Sequence, residues 1–266
     1  MERVIRAKYA ALRKLIRERE SILVAYSGGV DSALLAAVAT GVLGEDAHCV
    51  LIDTPLLPRS AVDRARETAR DLVLSLEVIR RPEISGLVRK NPPDRCYHSR
   101  KESALVLKQK AGEMALSCVA DGMNCSDTFE HRPGIAASTE EGIVHPFIEA
   151  GITKQDIRDI ARECRYGFWD RPSDACLASR IPFGEEITGD GPWMVEKAEE
   201  YLHRGGFGQV RVRLHSGNAR IEVEEEEIPR VAAMGTEIAR AFRDLGIRYV
   251  TLDLEGYRSG SMDEVL

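Results

Sequence analysis

Ser21-Ile22-Leu23-Val24-Ala25-Tyr26, followed at once by Ser27-Gly28-Gly29-Val30-Asp31-Ser32, is the stretch that decides the fold. Its first six residues form a short apolar run that fits a parallel strand buried on both faces. The glycine pair lets the backbone turn sharply and aim its N–H groups at an anion. The helix expected from Ser32 to Thr40 adds the positive end of its dipole. Ser27 and Ser32 bring hydroxyls to the same anion. Asp31 would repel a bare phosphate, so its presence predicts a bridging Mg2+. As a fragment, a Ser-Gly-Gly turn beside an aspartate is common. The strand before it and the helix after it, in register, make this one a phosphate loop. Its spacing differs from the Gly-x-x-x-x-Gly-Lys loop of Walker type.

Outward from that loop the pattern repeats. Before it, Ile5, Tyr9, Leu12 and Ile16 mark an amphipathic helix. After it come strand 48–52, helix 61–72, strand 76–79, helix 100–110 and strand 116–120, the last leading into Asp121-Gly122. Strands alternating with helices predict right-handed crossovers and a doubly wound parallel sheet, with the ligand at the carboxyl ends of its strands. Ser27 to Ser32 and the loop from Asp121 to Thr128 both fall at such ends. Thr153 is the expected N-cap of a helix to Cys164. A long Pro- and Gly-containing loop, about 165–192, follows, and loops of that length are usually functional or disordered. The pattern then changes to helix 192–204, strands 208–213 and 218–223 flanking a turn at Leu214-His215-Ser216-Gly217, helix 225–245 and strand 248–253. Glu224 to Glu227 read as a charged helix start with no chemistry. The expected division is residues 1–170 as the nucleotide domain, 171–191 as a cysteine loop and 192–266 as a smaller α/β domain.

Composition narrows the function. A net charge of −6 disfavours a nucleic-acid partner held by bulk electrostatics. No run of about 18 apolar residues occurs, and Met1-Glu2-Arg3-Val4-Ile5-Arg6 lacks the apolar core of a signal peptide, so no membrane contact and a cytoplasmic location are expected. Six cysteines in a chain of this size do not make a disulfide scaffold. A special cysteine here is a nucleophile or a ligand.

The phosphate loop resembles that of the PP-loop, or N-type, ATP pyrophosphatases. The loop Arg171-Pro172-Ser173-Asp174-Ala175-Cys176-Leu177-Ala178-Ser179-Arg180-Ile181-Pro182 narrows this to the LarE family of ATP-dependent sacrificial sulfur transferases. Asn91-Pro92-Pro93-Asp94-Arg95-Cys96-Tyr97, Gln209-Val210-Arg211-Val212-Arg213, Ala219-Arg220-Ile221-Glu222-Val223 and Gly256-Tyr257-Arg258-Ser259-Gly260-Ser261 resemble the same family. The resemblance implies an adenine nucleotide alpha hydrolase-like fold, with ATP and Mg2+ at Ser27, Gly28, Gly29, Val30, Asp31, Ser32 and Gly122, Asp31 facing the metal. It implies a nucleotide substrate, pyridinium-3,5-biscarboxylic acid mononucleotide, an intermediate of the nickel-pincer cofactor of lactate racemase. A substrate carboxylate is adenylated, Cys176 displaces AMP to form a thioester, and cleavage of its Cβ–S bond leaves sulfur on the substrate and dehydroalanine in the chain. Ser179 and Arg180 are expected at the substrate, with Arg180 helping to lower the Cys176 pKa. Arg211 and Arg213, two apart on a strand, are expected to grip the substrate phosphate. The resemblance also implies a homo-oligomer.

Two departures bear on the sulfur source and the nucleotide wall. Some family members carry Cys-Tyr-x-Cys and hold a [4Fe-4S] cluster with three cysteines, whereas this chain reads Cys96-Tyr97-His98-Ser99. Cys96 is the candidate second thiol or cluster ligand, with Cys125 and His98 as substitutes. Two thiolates make a poor cluster site, so the sacrificial route is favoured over an iron–sulfur cluster or a persulfide relay. Gly122-Met123-Asn124-Cys125 stands where the family usually has Gly-Thr-Asn. The rivals are a tRNA-thiolating PP-loop enzyme, an enzyme of ammonia-dependent amidation, which would leave Cys176 unexplained, and a nucleotide-binding regulator without catalysis.

Overall fold

In the computed structural model, residues 3–129, 133–172 and 176–258 are described. Ser173-Asp174-Ala175 of the cysteine loop and Ser259-Gly260-Ser261 of the last motif lie outside the described residues. The chain divides into two units. One comprises Met1–Thr54, Arg59–Pro82 and Cys96–Asp174, and the other Pro55–Pro58, Glu83–Arg95 and Ala175–Leu266.

The first unit is a parallel four-stranded sheet flanked by helices. Its elements begin with α1 (Arg3–Glu18), β1 (Ile22–Ala25), α2 (Val30–Leu43), β2 (Ala47–Asp53), α3 (Arg59–Asp71) and β3 (Leu76–Arg80). After α4 (Gly86–Arg89), which belongs to the second unit, come α5 (Arg95–Glu113), β4 (Cys118–Ala120), α6 (Pro133–Glu140), α7 (Pro146–Glu149) and α8 (Lys154–Glu163). Strand order is β3-β2-β1-β4, all pairings parallel. The order reverses between β1 and β4, and an α/β sheet opens its ligand crevice at the carboxyl side of such a switch point. The phosphate loop follows β1 and Asp121-Gly122 follows β4, so both meet there. α2 is apolar nearly all round, with Leu34, Leu35 and three alanines buried, as a helix packed against a sheet and a neighbouring helix must be. Thr153 caps α8 as expected, in a capping box with Asp156.

The second unit contains α9 (Asp190–Arg204), β5 (Val210–His215), β6 (Asn218–Val223), α10 (Ile228–Ala233), α11 (Gly235–Asp244) and β7 (Tyr249–Leu252). β5 pairs antiparallel and β7 parallel with β6. Val195, Leu202, Phe207, Val212, Ile221 and Phe242 centre its core. The unit also takes in Pro55–Pro58 and Glu83–Arg95. The reason is apolar and polar at once. Leu56 and Val88 pack with Ala178, Ile181 and Ile187, and Asn91, fully buried at φ +55°, donates to the carbonyls of Ile181 and Pro182 at 3.2 and 2.7 Å. Arg95 donates to Asn91 Oδ1 and, at 3.0 Å, to the Ala178 carbonyl. The Asn91-Pro92-Pro93-Asp94-Arg95 motif is thus the clasp of the cysteine loop.

Three expectations need correction. The helix 225–245 is three pieces: a 3-10 turn at Glu225–Glu227, then α10 and α11. Pro229 has no N–H to continue a helix from its N-terminal side, and Gly235 favours a break. The hairpin turn is Ser216-Gly217 alone, since Leu214 and His215 stay paired in β5. Both turn residues have positive φ, +49° and +80°, which tightens the connection to two residues. The long loop is partly regular, with a 3-10 turn at Leu177–Arg180 and α9 beginning at Asp190. The short α4, α6, α7 and a 3-10 turn at Cys125–Phe129 carry too few residues to show a period, and went unread.

Replacing Asn91 by Ala strands the buried Ile181 carbonyl and the part-buried Pro182 carbonyl, so urea unfolding of Asn91→Ala is expected to show a loss of about 1–3 kcal/mol. A loss below about 0.5 kcal/mol, the range of ordinary surface substitutions, would refute the clasp.

Candidate functional site

The phosphate loop is built in the first unit. Gly28 has φ +77°, and a β-carbon there would lie 2.5 Å from that of Ala65. Ser32 accepts from the Ser27 N–H at 3.1 Å, shares a 3.0 Å hydroxyl contact with Ser27, and donates to the Gly29 carbonyl at 3.2 Å. Gly29 caps α2 with no side-chain hydrogen bond, which leaves the helix mouth to its backbone donors. A β-carbon on Gly122 would sit 2.9 Å from the Ser32 nitrogen, so only glycine lets the end of β4 approach α2 this closely. Arg171 closes the loop's other side, donating to the Gly28 carbonyl and to Thr68 Oγ1, both at 3.1 Å. Asp121 Oδ1 bonds His145 Nδ1 at 2.7 Å, while its Oδ2 is buried without a hydrogen bond.

Asp31 is bridged by Lys154 Nζ at 2.6 and 2.7 Å. Burial pushes its carboxyl above the usual aspartate range, Lys154 opposes that, and Asp127 adds to it. The arrangement is a turn of backbone donors at the α2 mouth with a cation and two carboxylates beside it.

The cysteine loop is built in the second unit. Cys176 is exposed and opens the 3-10 turn Leu177–Arg180, whose Leu177 and Ala178 are buried. Arg180 is 3% exposed and donates to Glu199 through Nε and Nη2 at 3.0 and 3.1 Å. It reaches Cys176 at the carbonyl oxygen, 3.2 Å from Nη1. Arg213 is bidentate with the fully buried Glu222, at 3.0 and 2.9 Å, and its Nη1 donates to the Ser179 carbonyl at 2.9 Å. Arg211 bonds the Val210 carbonyl and lies over the Tyr257 ring at 5.4 Å. Burial, then the nearby Arg180, lowers its pKa. Of the strand pair, therefore, Arg213 braces the loop and Arg211 is the one that forms no ion pair among the described residues.

Cys96 is exposed in the first turn of α5, and Cys125 is half-buried with Sγ 3.9 Å from the Ile148 carbonyl. His98 meets the Tyr97 ring edge-on. Among the described residues no three His, Cys, Asp or Glu side chains group to hold a metal ion, and no helix is long and apolar enough to cross a membrane.

No family model matches the chain. It is 34% identical over 261 residues to pyridinium-3,5-bisthiocarboxylic acid mononucleotide synthase of Lactiplantibacillus plantarum, covering 97% of this chain and 95% of that protein. The chain belongs to the LarE family. An uncharacterized protein of Synechocystis is 38% identical over 99% of both chains. A glutamine-hydrolyzing GMP synthase of Chlamydia muridarum is 35% identical over 68 residues, 26% of this chain, in keeping with the PP-loop α/β fold described above.

For this LarE-family chain, sequence reasoning missed Lys154, Arg171, Asp121 with His145, and the two carboxylates Glu199 and Glu222. One signal was readable. Glu199 stands in the helical stripe of Val195 and Leu202, both buried, and a carboxylate in an apolar stripe asks for a buried cation.

The raised Asp31 pKa fixes a sign. Its carboxyl is neutral in both folded and unfolded chains below the ordinary value of 3.8, and above that value ionisation costs the folded state more. The stability of Asp31→Asn relative to the parent is therefore expected to rise with pH through the carboxylate range. Urea midpoints measured across that range would contradict this if the difference stayed flat.

Proposed function

We propose that this chain is an ATP-dependent sulfurtransferase that converts a carboxylate of pyridinium-3,5-biscarboxylic acid mononucleotide to a thiocarboxylate, with Cys176 as sulfur donor, in nickel-pincer cofactor assembly and so in lactate racemase maturation. The observation that carries it is the exposed Cys176 on a turn braced by buried ion pairs, in a chain related over its length to a synthase named for a bisthiocarboxylate product.

ATP fits the first unit on two counts. Gly28 and Gly122 let the loop pack directly on Ala65 and on Ser32, which brings its backbone donors together at the α2 mouth, and Asp121 Oδ2, next to Gly122 in the chain, is a buried oxygen without a hydrogen-bond partner. The backbone N–H groups of the phosphate loop and the α2 dipole hold the pyrophosphate portion. Mg2+ is usually held by one or two carboxylates plus phosphate oxygens; Asp31, with Asp127 near it, matches that donor set and would hold the ion, which would supply charge neutralisation for the phosphates. Lys154 sits on Asp31 and is a second cation for the leaving group.

The chemistry proceeds in three steps. A substrate carboxylate oxygen attacks the α-phosphorus, and pyrophosphate leaves. The Cys176 sulfur, as thiolate, attacks the acyl carbon and expels AMP. Removal of the Cys176 Cα proton then breaks the Cβ–S bond, the sulfur leaving with the acyl group. Arg211, with its side chain half-buried and charged, is the ligand for the substrate's phosphate. Arg213 and Arg180 keep the turn in place beneath it.

The test is to incubate the protein anaerobically with Mg-ATP and the biscarboxylate mononucleotide and weigh the intact chain. A loss of about 34 Da at the Cys176 peptide, the mass of one hydrogen sulfide, is expected of a consumed nucleophilic cysteine, and Cys176→Ser is expected to show neither the loss nor thiolated product. Thiolated product with unchanged chain mass would move the sulfur source to a cluster or persulfide that uses Cys96, and absence of both product and pyrophosphate would reject the assignment. Gly122→Ala, by pressing on the Ser32 N–H, is expected to weaken binding of a non-hydrolysable ATP analogue at least tenfold, about 1.4 kcal/mol, by calorimetric titration; unchanged affinity would remove the phosphate from this turn.

A further inference from the structure

The Cys176 carbonyl is held by three donors. That oxygen accepts the Ser179 N–H at 3.0 Å, the Ser179 hydroxyl at 2.8 Å and Arg180 Nη1 at 3.2 Å. A peptide oxygen has two lone pairs, and the turn itself requires only the first of these donors. The other two are an ordered pair. Arg180 Nη1 also donates to Ser179 Oγ at 3.0 Å, which makes that oxygen an acceptor there and leaves its hydrogen for Cys176. Arg180 is in turn buried and fixed by Glu199.

We propose that Ser179 and Arg180 form an oxyanion hole for the Cys176 carbonyl and so catalyse the elimination that releases sulfur. The inference rests on the proposed sulfur donation and gives its last step a mechanism. A peptide Cα–H is a very weak acid because its conjugate base places negative charge on the neighbouring carbonyl oxygen. Three donors, one of them cationic and desolvated, are aimed at that oxygen before the charge appears, and preorganised donors of this kind are the largest single source of catalysis in many enzymes. The electrons balance without a redox partner. The proton passes to water or hydroxide at the exposed residue. The C–H pair becomes the enolate, then the Cα=Cβ bond as Cβ–S breaks, and sulfur departs with its pair as the thiocarboxylate. Ser179 and Arg180 therefore act on the cysteine's own backbone.

Two measurements test it. In single turnover with Mg-ATP and the biscarboxylate mononucleotide, followed by intact mass, Ser179→Ala is expected to form the acyl adduct and lose it about 10²-fold more slowly than the parent, with Ser179→Thr restoring the rate. A purely structural role would slow adduct formation as well. The second measurement needs neither ATP nor substrate. The exposed thiols are converted to 2,4-dinitrophenyl thioethers, and release of the yellow dinitrothiophenolate is followed at mildly alkaline pH, with the exposed Cys96 as internal reference. Elimination at Cys176 is expected to outrun that at Cys96 about 10²-fold and to lose this lead in Ser179→Ala. Equal rates at the two cysteines, or an adduct in Ser179→Ala that decays at the parental rate or never forms, would overturn the oxyanion hole. If the parent makes no adduct while arylated Cys176 still eliminates fast, the sulfur donation fails and the hole stands.

Discussion

The ion pair between Arg180 and Glu199 is the interaction on which the second unit depends. Glu199 accepts both Arg180 contacts and, through Oε1, the Val212 N–H at 3.0 Å. One carboxylate thereby joins α9, β5 and the turn that carries Cys176. Removing one partner of such a buried pair typically costs about 3–5 kcal/mol, because the other charge is left without compensation. Arg213 with Glu222 repeats the device one position along, and Nη1 of that arginine holds the Ser179 carbonyl. The exposed cysteine thus sits on a turn whose every following residue is tied down, by burial at Leu177 and Ala178 and by hydrogen bonds at Ser179 and Arg180.

The first unit solves a different problem, that of bringing many backbone donors to one point. Two chain segments must pass within van der Waals contact at the α2 mouth, and glycine is the residue that permits it. Gly28 clears Ala65 and Gly122 clears Ser32. The ionic part of the site is more balanced than a bare phosphate loop suggests. Asp31 is desolvated, yet Lys154 stands on it, so the rim carries opposite charges that can redistribute when an anion enters. α8 makes this possible, since its capping box at Thr153 fixes the first turn in which Lys154 lies.

Much of the first unit was legible because its signals are local. A buried strand, a glycine pair and an apolar helix occupy adjacent residues, and the strand–helix–strand alternation of β2, α3 and β3 follows directly. The second unit was legible in its strands but not in its membership. That Pro55–Pro58 and Glu83–Arg95 pack with Ala178 and Ile181 depends on contacts about 90 residues apart, such as Asn91 to Ile181, which no local period reports. The same holds for the site. Cys176, Ser179 and Arg180 could be named from the loop, whereas Glu199 and Glu222, which decide what the arginines do, lie on other elements. Arg211 and Arg213 look equivalent in the sequence, and what separates them is that Glu222, directly opposite Arg211, bonds Arg213 diagonally instead.

That separation bears on why the unit keeps buried charges at all. Apolar residues of similar volume often match or exceed the stability of a buried ion pair, so stability alone does not account for Arg180. An apolar side chain at that position would fill the space, but it would leave the Cys176 carbonyl with the two Ser179 donors and no charge. A lysine would bring a charge without the planar fork that serves Glu199 and the carbonyl together. The guanidinium is the group that can do both, and it does so in a buried setting where a charge–dipole interaction is stronger than in water. The geometry therefore reads as a site built around a backbone oxygen, on a cysteine that is itself exposed.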